Sequence, residues 1–267
     1  WFAVGCYYYS CQKYHVAQKH FCRATRLDPL CFEAWLAFGC SFAACDESDQ
    51  ALAAFRAAQR LAPAEPSALL YMGMEYVRTN HLVLAQHSLM AALPSGDPLC
   101  YHELGVAAFY QKDYTGAIPW FIKALRAVTR NPRHFVEELQ NEFWEPTLLN
   151  LGHCYRKTRQ FAKAIECFEK CLVLVPDNPS SLLALGLTKH LADDYDGAIE
   201  LYHQALSRKP DDPVGLETLN RALEEALSVK LNISNVVASP MSQHNQSYHD
   251  QTIMSMEEDS MDMSGMS

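Results

Sequence analysis

Apolar residues recur along this chain with the spacing of amphipathic helices, and the whole pattern returns at a nearly constant interval. A glycine marks each copy, and the intervals between successive marker glycines are 34, 34, 32, 47 and 34 residues. The marker glycines are Gly5, Gly39, Gly73, Gly105, Gly152 and Gly186. Because self-similarity at a fixed period is the signature of a repeat architecture, the sequence predicts an array of helical repeats.

Positions at fixed distances from the marker glycines keep one size class in every copy. Four residues before the glycine the side chain is large and apolar: Trp1, Trp35, Leu69, Tyr101, Leu148 and Leu182. Sixteen residues after it comes a ring or a leucine: Phe21, Phe55, Leu89, Phe121, Phe168 and Tyr202. Small residues are expected where backbones approach closely, and the rings are expected to fill the space between neighbouring hairpins.

This set of positions resembles the tetratricopeptide repeat, in which each copy is a pair of antiparallel helices. The resemblance implies an all-α fold, a right-handed superhelix (α-solenoid) of about six repeats followed by a capping helix. Since no single hairpin can bury its apolar face alone, stacking of neighbours is expected to supply the core. The first repeat is predicted to end near Leu30, and the others to span Phe32–Ala64, Glu65–Asp97, Pro98–Thr129, Glu145–Asn178 and Pro179–Asp212.

The same phase predicts how the chain is divided. The repeat array is predicted over residues 1–231, with an insertion at about 130–144 and a capping helix at 214–231. The insertion adds 13 residues and is predicted to be a loop extension of the kind that folds tolerate. A short helical turn is predicted inside it by Phe135, Val136, Leu139 and Phe143.

The C-terminal segment, residues 232–267, differs in composition from the rest of the chain. It holds eight Ser, six Met and five acidic residues, with no Lys or Arg and no apolar periodicity. Such a segment cannot bury enough apolar surface to fold, so a disordered acidic tail is predicted. Within it, Ser239 precedes Pro240 and is a candidate phosphorylation site.

Composition and charge narrow the class of protein. Apolar residues make up 49% of the chain and the net charge is −9, which favours a packed core and disfavours a non-specific binder of nucleic acid or anionic membrane. The ten cysteines include no C-x-x-C pair and predict reduced thiols, as in a cytosolic or nuclear protein. No signal peptide or membrane span is expected, and the start at Trp1 suggests a fragment.

No catalytic constellation is visible, and no cofactor or metal is expected. The H-E-x-x-H, G-x-S-x-G, Walker and G-x-G-x-x-G motifs are all missing. A thiol–imidazole or metal site at His153, Cys154, Cys167 and Cys171 is conceivable, but thiols on packed helices are expected to serve as small apolar residues. His81, His87, His102, His190 and His203 share no ligand spacing.

Several short segments also contain residues at positions that the consensus of the general repeat does not specify. They are WFAVGCYY at Trp1, AWLAFGCSFA at Ala34, DQALAAFRAAQRL at Asp49, LLYMGMEYVRTN at Leu69, HELGVAAF at His102 and WEPTLLNLGHCYRK at Trp144. Together they resemble the tetratricopeptide scaffold subunits of the anaphase-promoting complex, of the cell-division-cycle sixteen or Cut nine type. The likeness covers about Trp1 to Asp212.

The resemblance implies a non-catalytic subunit of a multisubunit ubiquitin ligase that controls mitotic progression, found in nucleus and cytoplasm. It implies a homodimer formed through N-terminal repeats, which this chain lacks, and a concave groove that encloses the N-terminal segment of a very small partner subunit. Groove residues in this fold lie three before, one after and four after the marker glycine. The candidate contacts are Leu36, Leu70, Met74, His102, Val106 and His153.

Two alternatives belong to other functional classes. A free adaptor or co-chaperone that binds a peptide is disfavoured because the predicted groove lacks the Lys and Asn that clamp a terminal carboxylate. The repeat region of a transferase would need a catalytic domain, for which the visible chain has no room. For each groove residue, packing against the chain's own second helices stays open as an alternative.

Overall fold

The computed structural model describes residues 1–129, 131 and 133–238, with side chains described as far as Val229. Within these residues the regular structure is helical, without strands. The helices are α1 (Phe2–Ser10), α2 (Tyr14–Leu27), α3 (Phe32–Ala43), α4 (Ser48–Leu61), α5 (Ser67–Arg78), α6 (Leu82–Ala92), α7 (Pro98–Tyr110), α8 (Tyr114–Val128), α9 (Phe135–Glu138), α10 (Glu145–Lys157), α11 (Phe161–Leu174), α12 (Pro179–Leu191), α13 (Tyr195–Arg208) and α14 (Pro213–Ala238). The all-α prediction is confirmed.

The chain divides into two compact units, Trp1–Lys170 and a second that begins at Cys171. In the first unit, helices pair in sequence order as hairpins: α1 with α2, α3 with α4, α5 with α6, and α7 with α8. The second helix of each hairpin packs against the first helix of the next, and α8 packs against α10 in the same way. The first helices also touch one another in succession, so α1, α3, α5, α7 and α10 form one layer.

Each marker glycine lies directly under the large side chain sixteen residues later, on the second helix of its own hairpin. A Cβ atom added at Gly39 would lie 2.4 Å from Cε1 of Phe55, closer than real carbon contacts allow. The other pairs are equally tight: Gly5 with Phe21, Gly73 with Leu89, Gly105 with Phe121, Gly152 with Phe168, and Gly186 with Tyr202. The ring of Phe55 also stacks on Tyr71 of the next hairpin at 5.6 Å. The rings therefore close their own hairpin, and Phe55 also bridges to its neighbour.

The tryptophans four positions before the first two marker glycines are less buried than the rings, whereas Leu148, at the same position of a later repeat, is fully buried. Trp1 is 50% exposed; its indole stacks on His20 at 5.6 Å and lies under the guanidinium of Arg23 at 4.0 Å. Trp35 is half-buried, and its Nε1 donates a hydrogen bond to the carbonyl of Pro29 at 2.9 Å. Both indoles thus lie at the margin of the packed hairpins.

The turn inside each hairpin has one residue in the left-handed region, always seven positions after the marker glycine. These residues are Gln12, Asp46, Asn80, Lys112, Arg159 and Asp193, with φ between 58° and 64°. Three of the six are Asp or Asn, the non-glycine residues that adopt this region at the lowest cost, and the other three are Gln, Lys and Arg. The residue types therefore record this regular feature only in part.

The insertion before α10 contains the predicted short helical turn, α9, which ends at Glu138. Leu139 follows it and is buried, whereas Phe143 is 63% exposed and belongs to a separate 3₁₀ turn, Glu142–Trp144. The ammonium of Lys170 donates to the carbonyl oxygen of Glu137 at 2.7 Å. The insertion is thus anchored to the first unit by an apolar side chain and a long-range hydrogen bond.

In the second unit, α12 and α13 form a hairpin and α14 packs on α13 through Leu219 and Ala222. The capping helix was expected at 214–231, with a disordered tail from 232. The structure corrects that boundary, because α14 runs from Pro213 to Ala238. No proline or glycine interrupts the chain between residues 231 and 238, so the sequence contains no signal that stops the helix at 231. The rest of the predicted tail, with Ser239, lies outside the described residues.

A partly buried hydrogen-bonded group joins α12 to α14. Nε2 of His190, 4% exposed, lies 2.8 Å from a carboxylate oxygen of Glu225, and the other oxygen of Glu225 accepts from Nε of Arg221 at 3.1 Å. Partial burial by itself acts to raise the pKa of Glu225, but the bonds from His190 and Arg221 outweigh it, so the pKa is lowered from 4.5. The carboxylate therefore stabilises the docked α14 in its ionised form.

Two further observations concern the described part of the chain. None of its helices is long and apolar enough to cross a membrane. All ten cysteines lie in it, and none forms a disulfide.

Replacing Gly105 by alanine is expected to lower the free energy of unfolding. The new methyl group would meet Cε1 of Phe121 at 2.6 Å, and overpacking of this kind costs about 1–3 kcal/mol, partly offset by the better helix propensity of alanine. Urea unfolding of Gly105→Ala, Phe121→Leu and the double variant measures the effect. If the changes in unfolding free energy of the two single variants add up to that of the double variant, the contact is contradicted.

Removing the carboxylate of Glu225 is expected to destabilise α14. Glu225→Ala leaves His190 without its buried partner, at a cost of about 1–3 kcal/mol near neutral pH. Because the folded pKa is below 4.5, this stabilisation is present above pH 4.5 and is lost as the pH falls through the folded pKa. Urea unfolding at several pH values measures it, with the exposed neighbour variant Glu224→Ala as control. An equal loss of unfolding free energy in Glu225→Ala and Glu224→Ala would count against the hydrogen bond between Glu225 and His190.

Candidate functional site

The layer of first helices in the first unit forms the candidate surface, here called the first-helix face (α3, α5, α7 and α10). The residues one position after each marker glycine are half-buried on it: Cys40, Met74, Val106 and His153. Met74 and Val106 pack from outside against the apolar core formed by α4 to α7. These side chains combine a fixed position with some remaining exposure, as a binding surface requires.

Other predicted groove positions are buried and leave little surface for a partner. Leu70 is 6% exposed and belongs to the core, and Val77, four residues after its glycine, is 8% exposed. Arg156, at the corresponding position of α10, is 4% exposed. At Leu70 the structure therefore favours the alternative that the sequence left open, packing against the chain's own helices. Leu36, on α3, is half-buried and keeps part of its surface.

His102 is a candidate contact in α7 whose orientation is fixed. Its Nδ1 shares a hydrogen bond with Oγ1 of Thr147, on α10, at 2.8 Å, and its ring lies 5.9 Å from that of Phe121. Burial lowers the pKa of His102 to about 4, because the charged form would lose its hydration. The imidazole is thus neutral at pH 7 and presents hydrogen-bonding groups without a charge.

Glu103 adjoins His102, and sequence reasoning missed it. Burial raises the pKa of its carboxyl from 4.5 to about 7, so a large fraction of it is protonated near neutral pH. The only sequence signal is its position, two residues before the marker glycine, which Tyr71 shares in α5. A protonated carboxyl can donate as well as accept a hydrogen bond, which widens the set of groups it can bind.

His153 is also neutral and polar. Arg156 Nη2 lies 3.3 Å from its Nδ1, and its ring meets Phe168 edge-on at 5.2 Å. Burial first, and then the charges of Arg156 and Lys157, hold the pKa of His153 well below 6.5. A neutral imidazole accepts at Nδ1, as the contact with Arg156 requires.

The thiols near His153 behave as apolar groups. Cys154 and Cys167 are buried, and burial raises the pKa of each to about 12. A thiol with such a pKa is protonated at neutral pH and is neither a good nucleophile nor a ready metal ligand. The geometry supports the structural interpretation of these cysteines over a thiol–imidazole site.

A second group, missed in the sequence, links α1, α3 and α5. Burial raises the pKa of Cys40 to about 12 and also raises those of Tyr9 and Tyr71, each of which is affected further by Cys40. Tyr9, Cys40 and Tyr71 belong to the three successive first helices α1, α3 and α5. They extend the candidate surface with two phenol groups that carry a hydroxyl at the end of an apolar ring.

Family models identify the repeats directly. Models described as "Tetratricopeptide repeat" match residues 3–66, 99–130 and 145–211. The three matches together cover more than half of the chain, and they fall on the hairpins α1–α4, α7–α8 and α10–α13.

Named relatives share a longer match. "Anaphase-promoting complex subunit 6" of Arabidopsis thaliana is 44% identical over 225 residues, which is 84% of this chain and 40% of that protein. "Cell division cycle protein 16 homolog" of Homo sapiens is 36% identical over 227 residues, 84% of this chain and 36% of that protein. The chain therefore spans less than half the length of these relatives.

A solved structure of a related protein has a similar fold. "Crystal structure of APC/C hetero-tetramer Cut9-Hcn1" superposes with a TM-score of 0.73 at 32% identity, covering 84% of this chain and 42% of that one. The likeness is therefore one of sequence as well as of fold.

Replacing Glu103 by glutamine is expected to stabilise the protein at alkaline pH and to change little in acid. The folded pKa of about 7 lies above the ordinary 4.5, so the carboxyl makes folding less favourable as the pH rises from 4.5 through 7, whereas glutamine stays neutral. Melting temperatures of wild type and Glu103→Gln at pH 5 and pH 8 measure this, with the exposed Glu169→Gln as control. A constant difference across pH would contradict the raised pKa.

Proposed function

The chain belongs to the tetratricopeptide-repeat family and is homologous to anaphase-promoting complex subunit 6, and from this we propose that it is part of a scaffold subunit of that ubiquitin ligase. The role proposed for this stretch of the chain is structural, which fits its fold of packed helical hairpins. The observation that carries the proposal is 44% identity to a named subunit over 84% of the chain.

We propose further that the first-helix face holds an extended segment of a small partner subunit. The solved structure of Cut9 is a hetero-tetramer with Hcn1, which supports a second kind of chain as partner. On this face, Met74 and Val106 offer half-buried apolar surface, and the imidazoles of His102 and His153 are neutral. A segment with apolar anchors and uncharged polar groups between them matches this chemistry.

The apolar residues of the first-helix face exclude charged side chains from the part of the partner segment that lies on them. Where Met74 and Val106 lie, a charged side chain of the partner would lose hydration without an opposite charge to pair with. Glu103, protonated in part at neutral pH, adds a group that can donate to a backbone carbonyl. We therefore expect the bound segment to be uncharged where it crosses α5 and α7.

Homodimer formation through repeats outside this chain, and residence in nucleus and cytoplasm, remain proposals that follow from the same homology. The relatives extend well beyond the matched region, so the dimer contact is sought in the full-length protein.

Mass spectrometry of proteins that co-purify with the tagged full-length protein tests the assembly. Recovery of a large complex with ubiquitin-ligase subunits is the expected result, and recovery of heat-shock chaperones alone would favour the adaptor.

Charged substitutions on the first-helix face are expected to weaken binding of the small partner. Met74→Glu or Val106→Glu places a carboxylate against the proposed apolar segment and is expected to reduce affinity by about 10-fold or more. A pull-down, followed by calorimetry with the N-terminal peptide of the same organism's small subunit, measures the change. Val83→Glu, at a 76% exposed position on α6, is the matched control. Undiminished binding by both face variants would refute the proposed surface.

A further inference from the structure

A group of three potential metal ligands lies at the junction of the first two hairpins, away from the first-helix face residues. One ligand atom each from His15, Cys45 and Glu47 lies within 4.8 Å of the others. His15 is the second residue of α2, and Cys45 and Glu47 flank the turn between α3 and α4. No other such group occurs in the part of the chain that the structure describes. We propose that these three residues bind a zinc ion that joins the two hairpins.

The sulfur and nitrogen atoms already have the separation that zinc demands. Sγ of Cys45 lies 3.6 Å from Nδ1 of His15. Around a tetrahedral zinc with bonds of about 2.3 Å to sulfur and about 2.0–2.1 Å to nitrogen, these two atoms are about 3.5–3.6 Å apart. The carboxylate of Glu47 completes the set after a movement of at most roughly 1.5 Å, which rotation of its side chain supplies. Water takes the fourth position.

The turn that carries two of the ligands is held rigidly. The N–H groups of Cys45 and Glu47 donate to carbonyl oxygens of α3, at 2.9 and 3.0 Å, both to Phe42. Arg78, on α5, pairs with the carboxylate of Asp46 and donates to Oγ of Ser48 at 2.8 Å. The backbone of the turn is therefore ordered mainly by its two hydrogen bonds to Phe42, which reduces the ordering that an ion would have to impose.

A hydrogen bond from the same helix positions the third ligand, His15. Nε2 of Gln18, one turn beyond His15, donates to the carbonyl of Ser41 near the end of α3 at 3.2 Å. This contact holds the start of α2 against the turn. His15 is exposed and lines an open surface pocket with Gln18, Lys19 and Phe42, so an ion can reach the group from solvent.

The carboxylate of Glu47 is not committed to helix capping. Glu47 is the N-cap residue of α4, but its side chain accepts no capping hydrogen bond. The equivalent residues Asp113 and Asp194 do cap their helices, accepting from the N–H groups of Gly116 and Gly197. A glutamate at the cap position is one carbon longer, and here its carboxylate lies beside Cys45 and His15 instead.

The donor atoms of the group suit a divalent cation. The carboxylate of Glu47 attracts the ion, and metal binding displaces the proton of the Cys45 thiol to solvent as the metal–sulfur bond forms. Thiolate, imidazole and carboxylate together are a donor set typical of zinc.

Cobalt and zinc binding to the full 267-residue chain tests this proposal. We expect one Co²⁺ per reduced chain, with a single thiolate-to-metal charge-transfer band in the near ultraviolet that Zn²⁺ abolishes. Zinc is also expected to raise the melting temperature, because only the folded chain brings the three ligands together and so binds the ion more tightly. Neither observation depends on the proposed partner surface, so the two proposals can fail separately.

Variants identify the ligands. Cys45→Ser and His15→Gln are each expected to lower zinc affinity by at least about 10-fold and to remove the thermal shift. Cys11→Ser and His87→Gln, at exposed positions, are the matched controls and should bind as wild type. Circular dichroism verifies that each variant is folded. Absence of cobalt uptake by the wild type, or an unchanged charge-transfer band in Cys45→Ser, would overturn the site.

Discussion

The contact between a glycine on one helix and a large side chain on the next is the constraint on which each hairpin depends. With no Cβ at Gly39 or Gly105, the rings of Phe55 and Phe121 can lie directly on the helix backbone. The two helices then approach closely enough to exclude water, and their outer surfaces become available to the neighbouring hairpins. Loss of this approach would separate the helices and thereby displace every surface built on them.

The same constraint determines which side chains remain for binding. Residues adjacent to the glycines are carried on first helices whose positions are fixed by the ring contacts. Met74 and Val106 are held half-buried, whereas Leu70 is drawn into the core. The first-helix face is therefore a by-product of core packing: its shape is rigid, and its chemistry is decided by the few side chains that the core does not use.

Electrostatics and packing act together on that face. His102 and His153 are neutral because burial removes the hydration that a charged imidazole needs. Glu103 holds its proton to about pH 7 for the same reason. A surface built largely from apolar and uncharged groups favours a partner that brings apolar anchors. It does not suit one that relies on a terminal carboxylate.

The amino-acid sequence by itself determined the repeat phase and the all-α class, and it predicted the limits of the hairpins and the candidate residues of the first-helix face. It could do so because the glycine and ring positions recur at a fixed interval in six copies. Only the tertiary structure decided that Leu70 is buried in the core and that the carboxyl of Glu103 is desolvated. It also decided that the imidazole of His15 lies beside the thiol of Cys45. These outcomes depend on contacts between residues of different hairpins, and neither composition nor local spacing records which side chains such contacts bring together.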